Sequence, residues 1–295
     1  MVKNLNLSYI IATKNKLPYL KIGLEKLIAN KKEGEEILVA DGASTDGTKE
    51  YIEELERAGK IDFYISEPDY AESHALNKLF LKAQGEVIKI INDDDAYYFP
   101  VIEKCKNFMI THPEIDIMGM EGGSFKHETP RRQVLRQVKG YKENYLKWKK
   151  DKTPFEFAVL GLMFRRSSLP LLGFWDLSFK NADAEYTFRA TASKAKLAWC
   201  LSPAFVFIRT KEGVTMNNMK RMHEETLRLR KFYLNENQPS KLLIAIKRPF
   251  RNFKDWLSVK EKSGDVSSGT WRELYDEAEK WLIDQNKNKE VEFLS

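Results

Sequence analysis

Apolar positions in the first hundred residues switch between two spacings. Residues 7–13 form a β-rich run, whereas residues 17–29 carry Leu17, Leu20, Leu24, Leu27 and Ile28 at helical spacing. The same order then repeats. Residues 36–40 predict a second strand, and a helix carrying Tyr51, Ile52 and Leu55 follows; residues 61–66 predict a third strand and residues 73–83 a third helix. At residues 87–91, Val87, Ile88, Ile90 and Ile91 form a β-branched run too short for an ordinary helix, which predicts a buried strand. The alternation predicts an α/β fold with a mostly parallel central sheet, flanking helices and right-handed crossovers.

Beyond residue 97 the pattern predicts a helix around Val101, Ile102, Cys105, Phe108 and Met109, then a strand over residues 115–120. Residues 124–152 are polar and basic, with Tyr141, Tyr145 and Trp148 interspersed, and read equally as an acceptor-side segment or a solvated surface helix. Residues 155–164 are apolar, residues 197–208 read as a strand pair around Pro203, and residues 209–218 as a polar loop able to close over a ligand. From residue 217 the chain becomes helical and charged. Residues 241–260 mix Leu242, Phe250, Phe253 and Trp256 with Lys247, Arg248 and Arg251, a composition that suits an interfacial helix on anionic lipid. Packing of that segment on the rest of the chain or on a partner subunit suits it equally. A linker-like stretch at residues 263–270 precedes a final amphipathic helix at residues 271–283. The expected division is a domain at residues 1–215 and a C-terminal helical extension at residues 216–295.

A chain of 295 residues that is 42% hydrophobic has material for a sizeable core. Its formal charge of +6 arises from 49 basic against 43 acidic residues, so both signs cover the surface and no nucleic-acid partner is expected. Cys105 and Cys200 lack metal-site spacing, and His74, His112, His127 and His223 are too scattered to form a zinc constellation. No run approaches the roughly 18 apolar residues of a spanning helix. The expectation is a reduced, cytoplasmic chain, with any membrane contact peripheral.

Asp93, Asp94 and Asp95 follow the strand at residues 87–91 directly, at the carboxyl edge where open α/β sheets bind ligands. Adjacent carboxylates repel one another, and Mg²⁺ or Mn²⁺, which prefer hard oxygen ligands shared with substrate phosphates, offset that repulsion. Taken alone, the triplet reads equally as a solvated acidic turn. Asp41 ends the second strand at the same edge, and a carboxylate there can accept from a nucleobase N–H or a ribose hydroxyl, although a turn residue is the simpler reading. Neither common glycine-rich phosphate loop is present, which argues against a dehydrogenase or a P-loop ATPase.

Taken together, Ile10-Ile11-Ala12-Thr13-Lys14-Asn15, the run from Ala40 to Thr48, Ser66-Glu67-Pro68-Asp69, Ala75-Leu76-Asn77-Lys78 and the aspartate triplet resemble glycosyltransferase family 2 over roughly the first 215 residues. These are inverting enzymes of the GT-A type that use nucleotide-diphospho sugars. The resemblance implies a donor pocket drawn from Thr13, Asn15, Asp41, His74, Asn77, Asp93 and Asp94. It implies a Mn²⁺ or Mg²⁺ ion held by Asp95, with Asp93 as a second contact. Ala71 and His74 stand where members of that branch carry Gly and Asp, which points to an altered donor pocket. Further on, Asp183 keeps the family's spacing of six to Arg189, and the resemblance makes it the catalytic base; by itself an aspartate there is ordinary helix-start chemistry. The implied partners are a nucleotide-diphospho sugar and a saccharide or lipid-linked acceptor, such as a bacterial cell-surface glycan, with work at the inner face of the plasma membrane. The competing expectation is a non-catalytic nucleotide-sugar binding or scaffold protein on the same fold.

Overall fold

The computed structural model describes residues 5–129, 132–208, 214–236 and 268–295. The segment at residues 241–260, expected on lipid or packed on protein, lies outside them, as does the first half of the loop expected at residues 209–218, whose second half instead begins a helix.

Strands β1 (Leu7–Thr13), β2 (Glu35–Asp41), β3 (Phe63–Ser66) and β4 (Val87–Ile90) pair in parallel in the order β3-β2-β1-β4. They are linked by helices α1 (Leu17–Asn30), α2 (Thr48–Arg57) and α3 (Glu72–Lys82). Their apolar stripes do what the spacing predicts: Leu20, Leu24 and Leu27 of α1 are fully buried. Parallel pairing sends β1, β2 and β4 to the same edge, so Thr13, Asp41 and the aspartates after Ile90 finish side by side. One side chain of the loop after β2 meets the first residues of two helices. Asp46 accepts from the Leu17 amide at 3.0 Å, opening α1, and from the Thr48 hydroxyl at 2.6 Å, opening α2.

Past β4 the sheet becomes mixed. β8 (Leu162–Arg165) runs antiparallel to both β4 and β6 (Ile117–Thr129), and β6 pairs in parallel with β9 (Leu197–Phe207). The short β5 (Ala96–Tyr97) adds to β9, and helix α4 (Phe99–Thr111) follows it. The polar stretch read as a surface helix or acceptor-side segment divides between a hairpin and a helix. β6 and β7 (Arg132–Gln137) form the hairpin, and α5 (Tyr141–Asp151) buries Tyr145 and Trp148 against the β9 side of the core. There Gly119 faces the Trp199 ring so closely that a Cβ would lie 2.1 Å from a ring atom.

After the short helix α6 (Leu169–Leu172), helix α7 (Ala182–Ala192) packs on α8 (Val214–Leu234). Helix α9 (Ser268–Asn286) lies against β5 and β9, and β10 (Phe293–Leu294) extends the sheet beside β9. Trp271, Tyr275, Ala278 and Leu282 of α9 share an apolar cluster with Ala96, Phe125, Val206 and Ile208. The far end of the chain is therefore built into the sheet's core. No helix among the described residues is long and apolar enough to cross a membrane.

Candidate active site

A cavity of about 590 Å³ opens at the carboxyl edge of β1 and β4, walled on one side by the starts of α1 and α3 and on the other by the start of α7. Thr13, at the end of β1, donates its hydroxyl to Asp93 Oδ2 at 2.7 Å. Asn15 takes a left-handed conformation, φ 52°, which lets its amide donate to Ser44 Oγ and its Oδ1 accept from the Thr45 amide, both at 2.8 Å. The two loops at this edge are thereby joined. Lys16 reaches between the first two aspartates, with its Nζ 3.0 Å from Asp93 Oδ1 and 2.7 Å from Asp94 Oδ2.

The triplet is divided by its backbone. Asp93 and Asp94 line the cavity, whereas Asp95 points into the protein, where its Oδ1 accepts from the Ile208 amide at 2.7 Å and its Oδ2 from Asn92 Nδ2 at 3.1 Å. Burial raises the carboxyl of Asp93 to about 6, with Lys16 opposing and Asp94 adding to the shift. Burial, reinforced by Asp94, drives Asp95 well above the usual carboxylate range. At Lys16 burial works against the charge, but Asp93 and Asp94 outweigh it and hold the ammonium well above the ordinary lysine value.

Asp183 stands in the first turn of α7, on the same cavity. Its carboxyl is pushed up to about 6 by burial, against a hydrogen bond of 3.3 Å that its Oδ2 accepts from the Val159 amide. The loop presenting it is held from α8: the buried Glu225 accepts from the amides of Lys180 at 2.8 Å and Asn181 at 2.7 Å. Lys89, fully buried on β4, reaches across to the same side, donating to the carbonyls of Ile90 at 2.8 Å and Leu160 at 2.6 Å. Burial lowers its ammonium to about 7.

The other residues expected here lie close by but outside the wall. Asp41 is fully buried and accepts from Ser66 Oγ at 2.7 Å and from the amide and hydroxyl of Ser44, so that Gly42 rather than Asp41 reaches the cavity. Asn77 exchanges two hydrogen bonds of 2.9 Å with the backbone of Trp175, and it is Trp175 that lines the space. His74 Nδ1 sits 2.9 Å from Asp69 Oδ1, and Asp69 is the cavity residue of that pair. Glu185 is engaged by Arg189 at 2.6 Å.

Three wall or support residues carry no signal in the sequence that separates them from surface residues. Lys16 is one loop lysine among several. Glu72 lines the cavity at the start of α3; enclosure by the surrounding protein raises its carboxyl to about 7, Lys16 opposes, and repulsion from Asp183, Asp93 and Asp94 adds. Trp271 of α9 donates its indole N–H to the main-chain carbonyl of Asp94 at 3.1 Å.

Comparison with known proteins gives a match between residues 8–169 and the model of glycosyl transferase family 2. An uncharacterized glycosyltransferase of Haemophilus influenzae is 23% identical over 175 residues, covering 57% of this chain and 65% of that relative's length. Among solved structures, S. aureus TarS 1-349 in complex with UDP-GlcNAc superposes with a TM-score of 0.54 at 16% identity, covering 79% of this chain and 68% of the other. The mannosyltransferase PcManGT from Pyrobaculum calidifontis, in complex with GDP-Man and Mn²⁺, gives a TM-score of 0.53 at 18% identity, covering 96% and 85%. At that identity the likeness to the two solved structures is one of fold.

Proposed function

The chain belongs to glycosyl transferase family 2, and from that premise we propose that it transfers a sugar from a nucleotide-diphospho donor to a hydroxyl acceptor by direct, inverting displacement. The observation that carries this reading is one cavity lined both by Asp93, Asp94 and Lys16 and by the separately mounted Asp183. Binding of UDP-GlcNAc by TarS and of GDP-Man by PcManGT supports the donor class.

In the proposed reaction the acceptor oxygen attacks the anomeric carbon while the bond from that carbon to the diphosphate oxygen breaks. The acceptor's proton passes to Asp183, whose raised pKa suits a base working near neutrality. The bonding electrons leave with the nucleotide diphosphate. Negative charge grows on that leaving group at the Lys16 side, where an ammonium stabilises it electrostatically. Trp175 and Val159 line the cavity near Asp183 and give it apolar surface there.

The expected divalent cation suits the donor set in one respect. Asp93 and Asp94 turn hard carboxylate oxygens to the cavity, and Mg²⁺ or Mn²⁺ commonly takes one or two carboxylates together with substrate phosphates. The described residues form no protein-only cluster of three metal-capable side chains. Asp93 and Asp94 are therefore better placed than Asp95, whose two oxygens serve Ile208 and Asn92. A cation held there supplies charge neutralisation to the departing diphosphate. Asp95 then acts by fixing the strand end.

Thermal stabilisation by a panel of nucleotide-diphospho sugars, with and without Mn²⁺, tests the reading. A ligand at about 100 times its dissociation constant adds roughly 2.7 kcal/mol of stability. No response to any member of the panel overturns the donor class; a response without transfer to any hydroxyl acceptor overturns the enzyme.

A further inference from the structure

Lys16 occupies the oxygens that a divalent cation would need. Its side chain is 15% exposed, those of Asp93 and Asp94 are 5% and 9% exposed, and its ammonium contacts one oxygen of each. The second oxygen of Asp93 accepts from Thr13, and the main-chain carbonyl of Asp94 accepts from Trp271, so the Asp93 carboxylate and the Asp94 backbone are each tied down beside the lysine. The lysine is the adaptable member. It hangs on a four-carbon stem from the loop between β1 and α1, and its three donors have no fixed direction.

An ammonium and a divalent cation cannot share these oxygens. Direct coordination at about 2.0–2.1 Å would put two like charges within a few ångströms in a poorly solvated pocket. A nucleotide diphosphate changes that balance, because its oxygens offer the ammonium acceptors of the same kind as the ones it leaves.

We propose that Lys16 is an exchangeable resident cation: in the free protein it holds Asp93 and Asp94 and keeps divalent cations out, and when a nucleotide diphosphate arrives it passes to the phosphates and releases the carboxylates to the metal. This rests on the nucleotide-sugar reading above. It makes metal and nucleotide binding mutually dependent through one side chain, and by linkage each tightens the other by the same factor.

The test is Mn²⁺ binding to the full chain by calorimetry and by electron paramagnetic resonance of the free ion, without nucleotide and with saturating UDP or GDP. Lys16→Met is expected to bind Mn²⁺ at least about tenfold more tightly than the parent without nucleotide, because a competing charge is gone. It is expected to bind UDP or GDP at least about tenfold more weakly, because the phosphates lose a cation. Lys16→Gln repeats the loss with a polar side chain, and Lys16→Arg, which keeps the charge, is expected to exclude Mn²⁺ as the parent does. Opposite movements of metal and nucleotide affinity are not produced by a lysine that only braces the fold. Unchanged Mn²⁺ affinity in both neutral variants overturns the exchange and leaves the donor reading standing. Failure of UDP, GDP and Mn²⁺ to bind the parent in any combination overturns both.

Discussion

The indole N–H of Trp271 bonds the main-chain carbonyl of Asp94 at 3.1 Å, across 177 positions of sequence. The tryptophan is almost wholly buried, with its ring centroid 4.8 Å from that of Tyr19 in an edge-on contact, so α9 supports the site from beneath. A division of the chain at residue 215 puts the cavity aspartates on one side and one of their supports on the other.

Trp271→Phe keeps one aromatic ring and removes the pyrrole half of the indole together with its donor. A buried carbonyl that loses its partner costs about 1–3 kcal/mol, and here the carbonyl belongs to a cavity aspartate. The expected outcome is lower stability in denaturant unfolding, together with nucleotide diphosphate affinity several-fold weaker by calorimetry. Unaltered nucleotide affinity would show that α9 braces the sheet without tuning the site.

Asp94 and Asp95 are adjacent in sequence and differ in surroundings, so their alanine variants are expected to fail differently. Asp95→Ala orphans the Ile208 amide and the Asn92 side chain in a buried place, costing roughly 1–3 kcal/mol for the first of these alone. Asp94→Ala opens onto the cavity, leaves the fold near parental stability and removes an oxygen from the Lys16 ion pair. Unfolding midpoints and UDP or GDP affinity measured on both variants check the contrast. A stable Asp95→Ala that has lost only metal-dependent nucleotide binding would return the metal to Asp95.

Much of the fold is legible in the sequence because β1, α1, β2, α2, β3, α3 and β4 each carry a local period that burial then enforces. Leu20, Leu24 and Leu27 announce the inner face of α1 without help from any other element. The aspartate triplet is legible for another reason, as carboxylates at the end of an apolar strand, whereas Asp183 stands out only through the family resemblance, because an aspartate in a first helical turn is ordinary by itself. Lys16, Glu72 and Trp271 are not legible, since their meaning lies in partners 77 or more positions away for Lys16 and Trp271, and in cavity charges for Glu72. The orientation of Asp95 is likewise hidden, because nothing local distinguishes an aspartate that faces a cavity from one that receives the amide of Ile208.

Glu72 and Asp183 share the cavity, and the charge of Asp183 adds to burial in holding Glu72 protonated. A base is effective only when deprotonated, so the rate is expected to rise with pH through about 6, the value to which burial brings Asp183. Glu72, raised to about 7 by burial and in part by the Asp183 charge, is largely protonated while Asp183 ionises near 6. Glu72→Gln is therefore expected to leave the acid limb of kcat/KM in place. A limb that moves to lower pH would mean that Glu72 is already charged below about 6 and raises Asp183.

Asp183→Asn separates an enzyme from a binding module most directly. Asn keeps the size of the side chain and can still accept from the Val159 amide, but it cannot take the acceptor's proton. Donor contacts on the Lys16 side are untouched, so UDP or GDP affinity is expected to stay near parental while transfer falls at least about 100-fold, the lower end of what a positioned base contributes. The substitution also has a stability signature with a definite sign. Burial raises the Asp183 pKa in the folded chain above its value of about 3.9 in an unfolded one, so between pH 4 and 6 the native state binds more protons and stability falls as pH rises. Asn removes that loss. The variant's advantage in unfolding midpoint over the parent is therefore expected to grow from pH 4 to pH 6 and then level off. Transfer at the parental rate would exclude Asp183 as the base, and since Glu185 is committed to Arg189, attention would pass to Glu72 on the cavity wall. An inactive variant with no gain in stability above pH 6 would show that the carboxylate is better solvated or better partnered than its burial implies, while leaving its role as base intact.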